Sequence, residues 1–194
     1  MTQKERMLAG MPYVCDGELN AEQAACREKL ARLRAVPDFD PEREALLREI
    51  FGAAGRDIHV NSPFYCDYGK NIYVGDGFYA NYNCVMLDVT TIRIGDRVLL
   101  GPNVTLTAAA HPVHPAERAT LYEYGKPITI GDDVWIGANV TVNPGVTIGS
   151  GSVIGSGSVV TRDIPPNVVA AGVPCRVLRG ITDADRMGGI PPED

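Results

Sequence analysis

The chain has 194 residues, room for one substantial domain and a small appendage. Hydrophobic residues at 45% and charged residues at 22% exclude a disordered chain. A net charge of −6 argues against nucleic acid as a partner, since phosphate binding needs clustered Lys and Arg. The five cysteines, Cys15, Cys26, Cys66, Cys84 and Cys175, are scattered and contain no CxxC pair. They point to neither a disulfide framework nor a zinc cluster, and read as small buried residues in a reducing compartment. The first residues are charged, unlike a signal peptide, and no apolar run approaches the ~20 residues that span a bilayer. The expectation is a cytoplasmic protein without a membrane partner.

Residues 1–57 read as a helical cap. Leu19, Gln23, Cys26, Leu30 and Leu33 recur at steps of three and four, with charges between them. Pro37 ends that stretch. Asp40 then offers an N-cap and Pro41 suits a first helical position. Leu46, Leu47, Ile50 and Phe51 form the apolar side of a second helix.

Residues 58–180 carry a different period. Ile130, Ile136, Val142, Ile148, Ile154 and Val160 are spaced by six, and each is preceded two positions earlier by Ile128, Val134, Val140, Val146, Ser152 or Ser158. An earlier block repeats this at Ile94, Leu100 and Leu106, with a weaker start at Ile72 and Val74. Residues two apart on a strand face one side, so each pair points into one core, and a Gly, Asn or Thr then turns the chain. Three such hexads make a triangular coil of about 18 residues, and stacked coils bury one another's apolar rows. The residues between the inward pairs, Trp135 and Val153 among them, then face outward. Two such residues 18 apart share a wall, which suggests a surface covered by another subunit or by ligand, the alternatives being cover by the helical cap or incidental exposure.

The period breaks between Thr107 and Pro127. So long an excursion from a rigid scaffold is a usual seat of function. It carries His111-Pro-Val-His114, and proline after each histidine confines it to extended backbone. A histidine here can serve as a general base near neutral pH, or be an ordinary loop residue. Zinc ligation by His111, His114 and His59 is a weaker alternative, and no metal is expected.

The stretch Asn103–Arg179 resembles the maltose and galactoside O-acetyltransferases. The resemblance rests on Asn103-Val-Thr-Leu, His111-Pro-Val-His, Val134-Trp-Ile-Gly, Asn143-Pro-Gly-Val-Thr-Ile-Gly and Gly172-Val-Pro-Cys-Arg. Before it, Pro63-Phe-Tyr-Cys-Asp-Tyr-Gly and Phe78-Tyr-Ala-Asn-Tyr-Asn are similar too. It implies a mainly β fold, a left-handed parallel β-helix of hexapeptide repeats with a short N-terminal helical cap and a long protruding loop at 107–127. It also implies a homotrimer with active sites between subunits. The implied activity is transfer of acetyl from acetyl-CoA to a sugar hydroxyl by direct attack in a ternary complex, with His111 as the base. Asp16, Asp67, Asn81 and Asp88 match acceptor-site positions. Asn81 also lies near the thioester, Trp135 and Ala138 along the pantetheine arm, Ser156, Thr161 and Arg162 further on, and Arg176 and Arg179 at the phosphates. Plainer roles stay open: a turn hydrogen bond for Asn81, turns or surface charge for the three aspartates, solvated charge for the arginines. So do another acceptor (a lipo-oligosaccharide, an amino sugar or a drug) and a non-catalytic trimeric scaffold. Residues 181–194 form a tail whose end, from Gly188, is Gly- and Pro-rich and expected to be loosely held.

Overall fold

The computed structural model describes residues 1–188, so the end of the expected tail lies outside the described residues. Three helices come first: α1 (Gln3–Leu8), α2 (Gly17–Ala35) and α3 (Glu42–Ile50). On α2, Leu19, Cys26, Leu30 and Leu33 are buried, as their spacing predicts, while Gln23 donates to the Tyr68 hydroxyl at 3.2 Å. On α3, Leu46, Leu47 and Ile50 are buried, followed by Phe51. The Asp40 carboxylate accepts from the Glu42 amide at 2.9 Å. Pro41 therefore precedes the first helical residue instead of occupying it.

From Ala53 the chain winds as a parallel solenoid with three faces. The first face stacks Ala53–Ala54, Ile72–Val74, Ile92–Ile94, Ile128–Ile130 and Thr147–Ile148. The second runs from His59–Val60 through Tyr79–Ala80, Leu99–Leu100, Trp135–Ile136 and Val153–Ile154 to a terminal pair, Val168–Gly172 and Cys175–Gly180. The third contains Phe64–Cys66, Cys84–Leu87, Thr105–Thr107, Thr141–Val142 and Val159–Val160. The coil thus starts before residue 58, the boundary expected from sequence, and His59 is one of its strand residues.

The inward column Ile72, Ile92 and Ile128 is fully buried, as is the column Val60, Ala80, Leu100, Ile136 and Ile154 on the second face, with exposures of 0–1%. Ser152 and Ser158 occupy inward positions without cost because both are bonded. Ser152 Oγ donates to the Pro165 carbonyl at 2.8 Å, and Ser158 Oγ accepts from the Gly172 amide at 3.0 Å. At the edge between the second and third faces, Asn83, Asn103 and Asn139 take positive φ of 56–60°, a conformation asparagine tolerates. Asn103 and Asn139 also bond to each other at 3.1 Å.

At the edge between the first and second faces the coils approach backbone to backbone. A Cβ on Gly95 would lie 2.8 Å from the Asp132 nitrogen and 2.9 Å from the Gly131 carbonyl carbon. Gly95→Ala is expected to lower the unfolding midpoint by several degrees, measured by calorimetry, because backbone must move to admit the methyl group.

The later coils keep the predicted spacing, with Trp135 beside Val153 and Thr141 beside Val159. The early coils are longer: Cys66 pairs with Met86 and Val74 with Ile94, 20 residues on. The extra length lies at the edge between the third and first faces, at residues 67–71 and 88–91. One coil further on, the excursion 107–127 leaves from this same edge.

Candidate active site

The excursion is an arm. Ala109–Ala110 pairs antiparallel with Tyr124–Gly125, and a short turn of helix, Pro115–Arg118, lies at its far end. The N-terminal segment adds to it: Tyr13 and Glu123 exchange backbone hydrogen bonds at 3.0 and 3.1 Å. Tyr13 is itself 1% exposed, so the arm's base is clamped to the cap.

His111 is exposed on this arm, and its Nδ1 lies 3.2 Å from the Tyr122 carbonyl oxygen. A carbonyl has no hydrogen to give, so this contact requires the proton on Nδ1 and leaves Nε2 with a free lone pair. His114 caps the short helix through its backbone position and makes no side-chain cap bond. His59 is elsewhere, stacked between Phe39 and Tyr79 with Nε2 2.8 Å from Asn61 Oδ1. Among the described residues, no group of three or more His, Cys, Asp or Glu could hold a metal ion, and no helix is long and apolar enough to cross a membrane.

Carboxylates gather at the base of the arm. Asp67 is half-buried, and burial followed by the nearby Glu123 charge raises its pKa to about 6. Asp16 caps α2, with Oδ1 accepting from the Leu19 amide at 3.1 Å. Cys15, whose thiol is pushed up by burial, feels Glu123, Asp16 and Asp67 together. Glu123 is the residue that sequence reasoning missed. It stands outside the period, and only the pairing with Tyr13 brings it here.

Asp88 corrects the expectation of a direct acceptor ligand. It has 0% exposure, and its carboxylate collects the amides of Asp67 at 3.0 Å, Tyr68 at 2.9 Å and Asn71 at 3.3 Å. The longer early coils create those unpaired amides, and Asp88 satisfies them. Burial outweighs the amides and raises its pKa to about 7.

The remaining predicted residues occupy distinct places. Asn81 sits on the edge between the second and third faces, its Oδ1 accepting from the Tyr82 amide at 2.8 Å. On that edge too, the Ala138 amide donates to Ser156 Oγ at 3.1 Å. Trp135 stands outward on the second face at 54% exposure, between Leu99 and Val153. Thr161 and Arg162 are exposed on the opposite edge of the third face, beyond Val160. Arg176 is exposed and, among the described residues, donates only to its neighbour's carbonyl, that of Cys175, at 2.7 Å. Arg179 is already bound to both Asp185 oxygens, at 2.8 and 2.7 Å. A phosphate at Arg179 would have to displace that pair.

A parallel solenoid of hexads, interrupted once by an arm bearing a positioned histidine, defines a transferase of the hexapeptide-repeat class. The profile of the bacterial transferase hexapeptide (six repeats) matches residues 127–162, and that of the maltose acetyltransferase hexapeptide capping motif matches residues 6–55. The galactoside O-acetyltransferase of Escherichia coli K12 is 56% identical over 150 residues, 77% of this chain and 74% of that one. A crystal structure of a maltose O-acetyltransferase from Clostridium difficile 630 superposes with a TM-score of 0.92 at 48% identity, covering 94% of this chain and 99% of that one. A galactoside acetyltransferase in complex with coenzyme A gives 0.91 at 47% identity, covering 95% and 94%. The chain belongs to the maltose and galactoside O-acetyltransferase family and is an acetyltransferase. The scaffold alternative drops out.

Proposed function

We propose that the protein moves the acetyl group of acetyl-CoA to a hydroxyl of a sugar of the maltose, glucose or galactoside type, with His111 as general base. The observation that carries this reading is the Tyr122 carbonyl on His111 Nδ1. It fixes the tautomer in which Nε2 can take a proton, and the clamped arm limits where the ring can stand. The thioester, when bound, supplies an electrophilic carbonyl. Nε2 removes the proton of the attacking hydroxyl, and the resulting imidazolium can return it to the departing thiolate. Asp67, with Asp16's second oxygen, suits the other hydroxyls of a sugar, since carboxylates accept from O–H groups.

A linear cofactor finds a suitable bed on the second face and its edge with the third. Leu99 and Trp135 are 47% and 54% exposed there, beside the small residues Gly101, Ala138 and Ser156. Arg162 and Arg176 are exposed guanidinium groups suited to phosphates. Asn81, Ala138 and Ser156 lie on one edge of the third face, and the arm and Thr161 on the other. This division favours a homotrimer in which one copy's edge meets its neighbour's arm.

Trp135→Ala is expected to raise KM for acetyl-CoA roughly tenfold with kcat within about threefold, since it removes apolar contact made equally in ground and transition states. Initial rates against acetyl-CoA concentration check this. The reading as a whole is tested by thiol release from acetyl-CoA across a panel of sugars, amino sugars and amino acids. Release with maltose, glucose or a galactoside supports it. Release only with amino sugars or larger glycolipids would move the acceptor elsewhere, and release with none would remove the sugar assignment.

A further inference from the structure

The sequence spreads its cysteines too widely to suggest a pair, yet the fold brings two together. Cys26 on α2 and Cys66 on the strand Phe64–Cys66 place their sulfurs 3.6 Å apart, across the join between cap and solenoid. Both are buried, at 3% and 8% exposure, and all five cysteines are free thiols. A cavity of about 230 Å³ opens on this join, lined by Cys26 with Met7, Leu8, Glu22, Lys4 and Lys29. That is room for several molecules of water size, while the low exposure of Cys26 bars a bulky reagent.

From this juxtaposition we infer that Cys26 and Cys66 form a peroxide-sensitive dithiol, closing into a disulfide that ties the helical cap to the solenoid. The Cys26 thiolate attacks one oxygen of hydrogen peroxide, the O–O bond breaks, and the departing hydroxide leaves as water with the thiol proton. Cys26 is then a sulfenic acid, oxidised by two electrons. The Cys66 sulfur attacks the Cys26 sulfur, the S–S bond forms, and the sulfenic hydroxyl leaves as a second water with the Cys66 proton. One peroxide is reduced to two waters, and two thiols become one disulfide. The sulfurs must close from 3.6 Å to about 2.05 Å for the bond to form.

The chemistry of the pair suits the order of these steps. A hydrogen bond from Cys66 holds the Cys26 thiol below its ordinary range. That same contact, with burial, pushes Cys66 well up. Cys26 also faces the cavity, so it is the sulfur that meets the oxidant first. Cys15 is the natural control, being the one cysteine of the five that is not buried.

The test uses the whole protein, treated with hydrogen peroxide under native conditions, alkylated, and digested without reduction. A peptide joining Cys26 to Cys66, two thiols lost from five and both recovered with dithiothreitol, is the expected result. The unfolding midpoint should rise by about 5 °C or more, because the bridge closes a long loop in the unfolded chain. In Cys66→Ser oxidised under native conditions, a sulfenic-acid probe added on denaturation should label Cys26. The inference is overturned if Cys26 and Cys66 both remain alkylatable while Cys15 is oxidised. It is equally overturned if the linked peptide forms only after unfolding in urea.

Discussion

His111→Ala is expected to lower kcat by roughly 10²-fold or more while leaving KM for acetyl-CoA within about twofold, because a positioned general base contributes about 10²–10⁴. The ring is exposed and makes one anchoring contact, so its loss should not disturb the fold. Steady-state rates with a saturating sugar, read alongside the unfolding midpoint, separate chemistry from stability. Turnover within tenfold of the parent protein would rule out His111 as the base.

A second large effect is expected at Asp88, on stability. Asp88→Ala strips the acceptor from one buried backbone amide, that of Tyr68, and two part-buried ones, those of Asp67 and Asn71. Each unsatisfied donor costs about 1–3 kcal/mol, so a loss of about 3–5 kcal/mol follows once partial relaxation is allowed for. The pH dependence has a definite sign. The folded pKa of about 7 lies above the unfolded value near 3.9, so the folded state retains a proton that the unfolded chain has released. The stability this proton contributes is complete below about pH 4 and is lost as pH rises through about 7. Asp67, at about 6, acts in the same direction. The unfolding midpoint should therefore fall between pH 5 and pH 8, and Asp88→Asn should flatten the fall. An unchanged slope in that variant would show that the carboxyl titrates elsewhere.

The solenoid was legible because its signal is local. Pairs such as Val140 and Val142 declare an inward face within three residues, and their spacing by six repeats the declaration from Ile128 to Val160. The coil start at Ala53 was not, since alanine carries neither strand preference nor turn chemistry. His111 stood out by its place in the excursion and by the resemblance of its motif. Its anchor did not, because a backbone carbonyl has no identity in sequence. Asp88 shows the opposite failure. Its motif matched an acceptor-site position, but an aspartate that faces solvent and one that gathers amides are written alike. Cys26 and Cys66, like Glu123 and Asp67, met only because the cap folds onto the solenoid, a contact without periodic trace.

The edge between the third and first faces absorbs every departure from regular winding except the terminal hairpin: two extra residues in each of two coils, then the whole arm, and two residues fewer after Val160. The other edges are filled by glycines pressed on backbone and by the asparagine column. Variation in chain length is therefore channelled to one seam. Segments grafted at 89–91 or within 112–121, sparing Asp88, His111, Tyr122 and Glu123, should alter what the arm greets while leaving the bed of Trp135, Ala138 and Ser156 untouched. Such a seam lets selection, or an engineer, retune the acceptor independently of the donor.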